Sequence, residues 1–223
     1  MFEISGELWG LIGTGILQTL YMIGLSSLLA YLLGLPLGVV LQVTDKGGIC
    51  PLRPVNLVLG VLVNLLRSVP FIILLVWMLP VTRGIVGTTI GATATIVPLV
   101  ASAAPYVARV VESSLKEVDG GVIEAAQSMG SSPLQIIWKV LLPEARPSLI
   151  MGAAITVTNI LGYTAMAGFV GGGGLGAIAI NYGYYRYQDD VMLVTVALMV
   201  VLVQIIQEVG LRTTKRTDRR LTH

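Results

Sequence analysis

Charge is scarce in this 223-residue sequence. Asp, Glu, Lys and Arg make up 12% of it against 55% hydrophobic residues, and the mean hydropathy is +0.85. Soluble domains carry about 25% charged residues, so a soluble globular class is excluded. Cysteine occurs once, at Cys50, which rules out an intrachain disulfide, and the only histidine is the last residue, His223. A histidine-based metal centre or catalytic triad therefore lacks its parts. No lysine follows a glycine, so the Gly-Lys pair of a nucleotide-binding P-loop is missing. The formal net charge of +2, from 14 basic and 12 acidic residues, is too balanced for a nucleic-acid surface.

Long uncharged runs fill the space. Residues 8–44, 84–108 and 147–185 contain no Asp, Glu, Lys or Arg, and about 20 apolar residues cross a bilayer as a helix. The chain reads as an all-α integral membrane protein with five spans, at residues 13–42, 55–80, 86–110, 148–169 and 190–211. A single membrane-spanning domain over 1–223 is expected, with no room for a globular catalytic one. The first nine residues hold Glu3 and Glu7 but no basic residue, unlike a cleaved signal peptide, so the first span is expected to be retained.

Basic residues orient the spans. One set of loops holds Lys46, Arg53, Arg109, Lys116, Lys139, Arg146, Arg212, Lys215, Arg216, Arg219 and Arg220, and the other only Arg83 and Arg186. Lys and Arg are retained on the cytoplasmic side, which places the N-terminus outside and the C-terminus inside. The terminal run 212–220 reads as a cytoplasmic stop signal rather than a lipid-headgroup anchor.

Between spans three and four, residues 112–146 look folded. Ser132, Pro133 and Gln135 make an N-cap, an N1 proline and a capping-box partner. Leu134, Ile137 and Leu141 follow at helical spacing, and Pro143 is expected to stop the helix. Residues 122–129 predict a second short helix ended by Gly130 as its C-cap. Two short cytoplasmic helices joined at a glycine suggest a docking element.

Two features interrupt the spans. Arg67 stands inside an apolar run ahead of Ser68, Val69 and Pro70. An intramembrane arginine is by default a functional residue, and Pro70 favours a kink. Arg67 and Pro70 thus predict a discontinuous helix, with Arg67 either facing a pathway or capping carbonyls at the break. The second interruption is Gly171, Gly172, Gly173 and Gly174. Gly171, Gly173 and Gly176 formally match a dinucleotide fingerprint, but the run follows a hydrophobic helix rather than a strand, so that reading fails. It predicts instead a break at the outer end of span four, with Tyr163, Met166 and Phe169 beside it as candidates to line or gate a passage. For Tyr163 and Phe169, ordinary helix packing remains the alternative. No acid lies centrally in any span, which argues against a proton relay and for an external energy source.

Glu124, Ala125 and Ala126, then Gly130, then Leu142 and Pro143, resemble the Glu-Ala-Ala signature of ABC importer permeases. Val140 replaces its isoleucine as the one departure. The stretches 67–77, 104–109 and 162–168 are similar to the methionine-uptake permeases of that class, a likeness that runs from about Thr14 onward. The resemblance implies a type I importer permease fold in a bacterial inner membrane, a homodimer with two cytoplasmic ATPase subunits and an extracytoplasmic methionine-binding protein. It implies that Glu124, Ala125, Ala126 and Gly130 form the coupling helix seated in an ATPase cleft, and that Met166 contributes to a hydrophobic gate. The chain itself is then no enzyme and binds no cofactor, ATP and Mg belonging to the partner ATPase. A permease for another amino acid, an ATP-independent carrier and a purely structural membrane protein are the competing readings.

Overall fold

The computed structural model describes residues 6–217; Glu3, Arg219, Arg220 and His223 lie outside the described residues. Helix α1 (Gly6–Thr44) is followed by α2 (Arg53–Ser68), α3 (Phe71–Trp77), α4 (Leu79–Val86) and α5 (Ala92–Lys116). The cytoplasmic segment holds α6 (Gly120–Ser128), α7 (Pro133–Ile136), a π turn (Ile137–Leu141) and α8 (Leu142–Glu144). Helix α9 (Arg146–Ala167) then leads through a 3-10 turn (Gly168–Val170) to α10 (Gly174–Ile178), a second π turn (Ala179–Tyr184) and α11 (Asp189–Thr217).

Four of these helices are long and apolar enough to cross a membrane, and α2 with α3 makes a fifth, broken span bent by 97°. The expected second span at 55–80 is therefore one 16-residue helix and a short helix turned across its end. Pro70 is the N-cap of α3 at φ −57 and ψ 133, outside the helical region, and its ring leaves no N–H to continue α2.

Helices α1 and α5 form the centre, and they run parallel: Gly34 faces Ala104 and Val107, and Gly38 faces Ala108 and Val111 one turn further on. A Cβ at Gly34 would fall 2.6 Å from the Ala104 carbonyl oxygen, and one at Gly38 2.5 Å from that of Ala108. Small residues four apart let two helix backbones touch, which replaces the hydrophobic drive that a bilayer does not supply. Buried Thr19, Thr156 and Thr195 donate their hydroxyls to carbonyls one turn earlier, at 2.9, 2.8 and 2.8 Å, which satisfies each hydroxyl's donor within its own helix.

Helix α5 ends at Lys116, not near residue 110 as the uncharged run suggested. Arg109 and Glu112, assigned to a loop by sequence, thus lie in its last two turns. The helix continues because Glu112 accepts from Arg109 at 2.6 Å and from Lys116 at 2.9 Å, i,i+3 and i,i+4 pairs that neutralise it within the helix.

Candidate functional site

The cytoplasmic segment begins with a helix capped at both ends. Asp119 accepts from the Gly121 N–H at 2.8 Å. At the other end the Gly130 N–H donates to Gln127 at 2.9 Å and the Ser131 N–H to Ala126 at 3.1 Å. This pair of reversed bonds is a Schellman cap, and it requires the left-handed φ of +79 that Gly130 adopts. The expected capping box is present: Ser132 accepts from the Gln135 N–H, and Gln135 accepts from the Ser132 N–H at 2.8 Å.

Two expectations here are corrected. Pro143 does not stop the helix, because the Leu142 N–H reaches back five residues to Ile137 in a π turn and the chain enters α8 with Pro143 in its first turn. The widened turn also brings Ile136 onto the inward face beside Leu141 and part-buried Ile137. Ile136 and Leu141, five apart, are buried, whereas Leu134 is 68% exposed. A π turn aligns i with i+5, and a 3.6-residue pattern cannot anticipate that.

Within α6 the signature residues divide. Ala126 is buried in the chain's own core with Ile136 and Leu141, while Glu124 and Ala125 face outward. Met129 (79% exposed), Leu134 and Trp138 (67%) stand uncovered on the same cytoplasmic element. Sequence reading placed Leu134 on the inward face and did not single out Met129 or Trp138; their signal is large apolar side chains on a segment that lies outside the membrane spans.

At the broken span, Phe71 follows Pro70 and stacks on Tyr163 of α9, ring centroids 4.6 Å apart and planes at 14°. The structure thereby joins Pro70 to Tyr163 through a residue not selected as a site residue, and Tyr163 has a packing partner. Arg67 lies in the last turn of α2 rather than at mid-helix. Its guanidinium stands 5.6 Å from the Tyr106 ring centroid, a cation-π distance, and the helix C-terminus favours its charge. Met166 (46% exposed) on α9 and Phe169 (56%) in the 3-10 turn that follows it remain uncovered.

The glycine run is a break, as expected, and it is docked rather than open. Gly171, Gly173 and Gly174 adopt φ of 80, 78 and 73, and Gly172 is buried. The Gly91 N–H donates to Gly171 at 2.9 Å, and the Thr95 hydroxyl donates to the Gly172 carbonyl at 3.2 Å. From α1, Gln18 accepts from the Gly174 N–H at 2.8 Å and Thr19 from the Leu175 N–H at 2.9 Å. Side chains of one helix thus cap the exposed amides of α10, which is how non-helical backbone survives at membrane depth.

Asp45, just beyond α1, accepts from Lys116 at 2.9 Å and from the Lys46 N–H at 2.8 Å. The Lys116 hydrogen bond first, and then the Lys46 amide, hold its carboxyl below the ordinary value.

Comparison with known proteins supports the same picture. Residues 34–216 match the family model described as binding-protein-dependent transport system inner membrane component. The probable D-methionine transport system permease protein MetI of Vibrio cholerae is 54% identical over 91% of this chain and 90% of its own length. The fold is similar to a chain of an inward-facing MetNI methionine ABC transporter, with a TM-score of 0.95 and 47% identity over 97% of this chain and all of that one. An amino acid ABC transporter crystallised with histidines shares the fold alone, at a TM-score of 0.77 and 20% identity over 94% of this chain and 95% of that one. With five spans arranged in this way and the family match covering most of its length, the chain belongs to the inner membrane components of binding-protein-dependent transport systems.

Proposed function

We propose that this chain is the membrane permease subunit of an ATP-driven importer for methionine, a single membrane domain of which two copies form the pathway. Two ATPase subunits dock on its cytoplasmic face, ATP and Mg being theirs, and a methionine-binding protein delivers substrate from outside. The observation that carries the reading is the capped helix α6, which presents Glu124 and Ala125 outward beside uncovered Met129, Leu134 and Trp138. A rigid helix with an apolar rim and one carboxylate is suited to a cleft in a partner that pushes and pulls it. The 97° break and the Phe71–Tyr163 stack supply a pathway element that such a movement can rotate as a unit. Met166, Tyr163, Arg67 and Pro70 are assigned to that pathway or its gate, and Gly171 to Gly174 to the structural break beside it. Methionine itself rests on the relatives at 54% and 47% identity.

The test is uptake of labelled methionine by cells lacking their own importer, with this chain restored beside its ATPase and binding protein. ATP-dependent uptake competed mainly by methionine is expected. Competition by another amino acid would replace the substrate, and uptake that persists without the ATPase would replace the mechanism.

A further inference from the structure

Helix α2 is loosely held. Val63 is its one buried residue, and Leu57, Val58, Val61, Leu62 and Leu65 are all exposed. Yet α2 carries the Pro70 break and, through Phe71, the contact with Tyr163. Whatever moves this half-span must grip it elsewhere.

The grip is polar. The Arg109 Nη2 of α5 donates to the Gly60 carbonyl and to Asn64 Oδ1, both at 2.9 Å, and so holds two successive turns of α2. Its Nη1 donates to Glu112 Oε2 at 2.6 Å. The other oxygen of Glu112, a residue only 7% exposed, accepts from Lys116 at 2.9 Å, and Lys116 also bridges to Asp45 beyond α1. Charges alternate from Arg109 through Glu112 and Lys116 to Asp45. Lys116 ends α5, and three residues later Asp119 caps α6. One network therefore starts beside the coupling helix and ends on α2. Charged groups buried within a span helix are expensive unless paired, and the planar guanidinium is the one side chain able to span a backbone carbonyl, an amide and a carboxylate together.

We propose that Arg109 is a positioning residue for transport: it locks α2 to α5, so that a displacement of α6 by the ATPases is carried to the broken span. The proposal rests on the importer reading above. Without the lock, α6 and α5 move while α2 lags, and ATP is hydrolysed without passage of substrate.

The decisive quantity is methionine moved per ATP hydrolysed by the assembled complex in proteoliposomes. Arg109→Gln is expected to lower that ratio about tenfold, within the range of coupling changes along a packed network. Arg109→Lys, able to keep Glu112 but not both α2 acceptors, should fall between it and the parent. Asn64→Ala leaves the Arg109–Glu112 pair intact and should lower the ratio in the same direction, which keeps the test open if Arg109→Gln does not assemble. Uptake and hydrolysis falling in proportion in these variants, or an unchanged ratio, would overturn the proposal. A second readout needs no transported solute. Spin labels at Leu57→Cys and Val122→Cys, in a Cys50→Ser background, should keep their separation between nucleotide-free and nucleotide-trapped complexes, and change it once Arg109 is replaced by Gln. If the separation behaves so while no methionine moves, the substrate reading fails and the lock stands; a separation indifferent to Arg109 sinks the lock.

Discussion

Gly130 is the residue on which the cytoplasmic segment turns. Its φ of +79 is left-handed, and a Cβ there would meet nothing within 4 Å. Substitution therefore costs backbone strain rather than a clash, about 1–2 kcal/mol for an L-residue in that region. Gly130→Ala should weaken the α6 cap locally while the permease still inserts. Gly130→Asp adds a charge to the exposed turn, and is expected to abolish methionine uptake with normal amounts of protein in the membrane. Normal uptake by a well-expressed Gly130→Asp variant would remove α6 from the coupling role.

Asp45 gives a residue-scale dependence on pH. Its folded carboxyl titrates below the usual 3.8 because Lys116 and the Lys46 amide favour the charged form. The stabilisation is complete above the unfolded value and is lost as pH falls through the lower folded one. Between neutrality and pH 5 the tie should not change, and the loss should appear only below about 3.8. Asp45→Asn should flatten that acid limb in a thermal unfolding series; an identical limb would show that the ion pair with Lys116 does not operate.

At the scale of elements, the molecule is organised by close approach of backbones. Gly34 and Gly38 on α1 meet carbonyls of α5 directly, and neither neighbour is the flexible tip of a side chain. Gly38→Val should therefore separate α1 from α5 and destabilise the fold by about 1–3 kcal/mol or more, the usual penalty of overpacking, seen as a lower unfolding temperature in detergent. Gly24→Val on the same helix has open space around the added atoms and should leave that temperature unchanged. Equal losses at the two sites would mean that helix propensity, rather than the α1–α5 contact, sets stability. Capping across helices follows the same logic: Gln18 and Thr19 belong to α1 but complete α10, so the glycine break is held by a helix distant in sequence.

For the whole molecule, the direction of every span follows from its neighbours. Gly60 of α2 meets Arg109 while Arg67, further along α2, lies over Tyr106, which precedes Arg109 on α5, so α2 runs against α5 and against its parallel neighbour α1, to which Asn56 donates at the Leu41 carbonyl at 2.7 Å. Cys50, the sole cysteine, lies in the loop between α1 and α2 and is part-exposed. A membrane-impermeant thiol reagent should label it in inside-out vesicles and not in right-side-out ones. In a Cys50→Ser background, Tyr184→Cys, at a position 59% exposed beyond α10, should show the reverse pattern. Labelling of both positions from one side would overturn the five-span topology.

Local composition and periodicity were enough for the class, the number of spans, their orientation and the capped cytoplasmic helices, because each depends on residues near in sequence: apolar run length, loop charge, and a glycine or serine at a helix end. The discontinuity at Pro70 and the break at Gly171–Gly174 were legible for the same reason, since proline and glycine act on their own backbone. The 97° angle at the first, the docking of the second onto Gln18, Thr19 and Thr95, and the π turn that buries Ile136 in place of Leu134 were decided by packing. So was the placement of Arg109 and Glu112. As isolated charges they mark the end of a span, and only when Gly60, Asn64 and Lys116 supply partners from other turns and another helix does burying them inside α5 become affordable. Sequence determines what each segment tends to do alone; tertiary structure decides which polar groups find partners, and in a membrane that pairing sets where helices end, bend and hold one another.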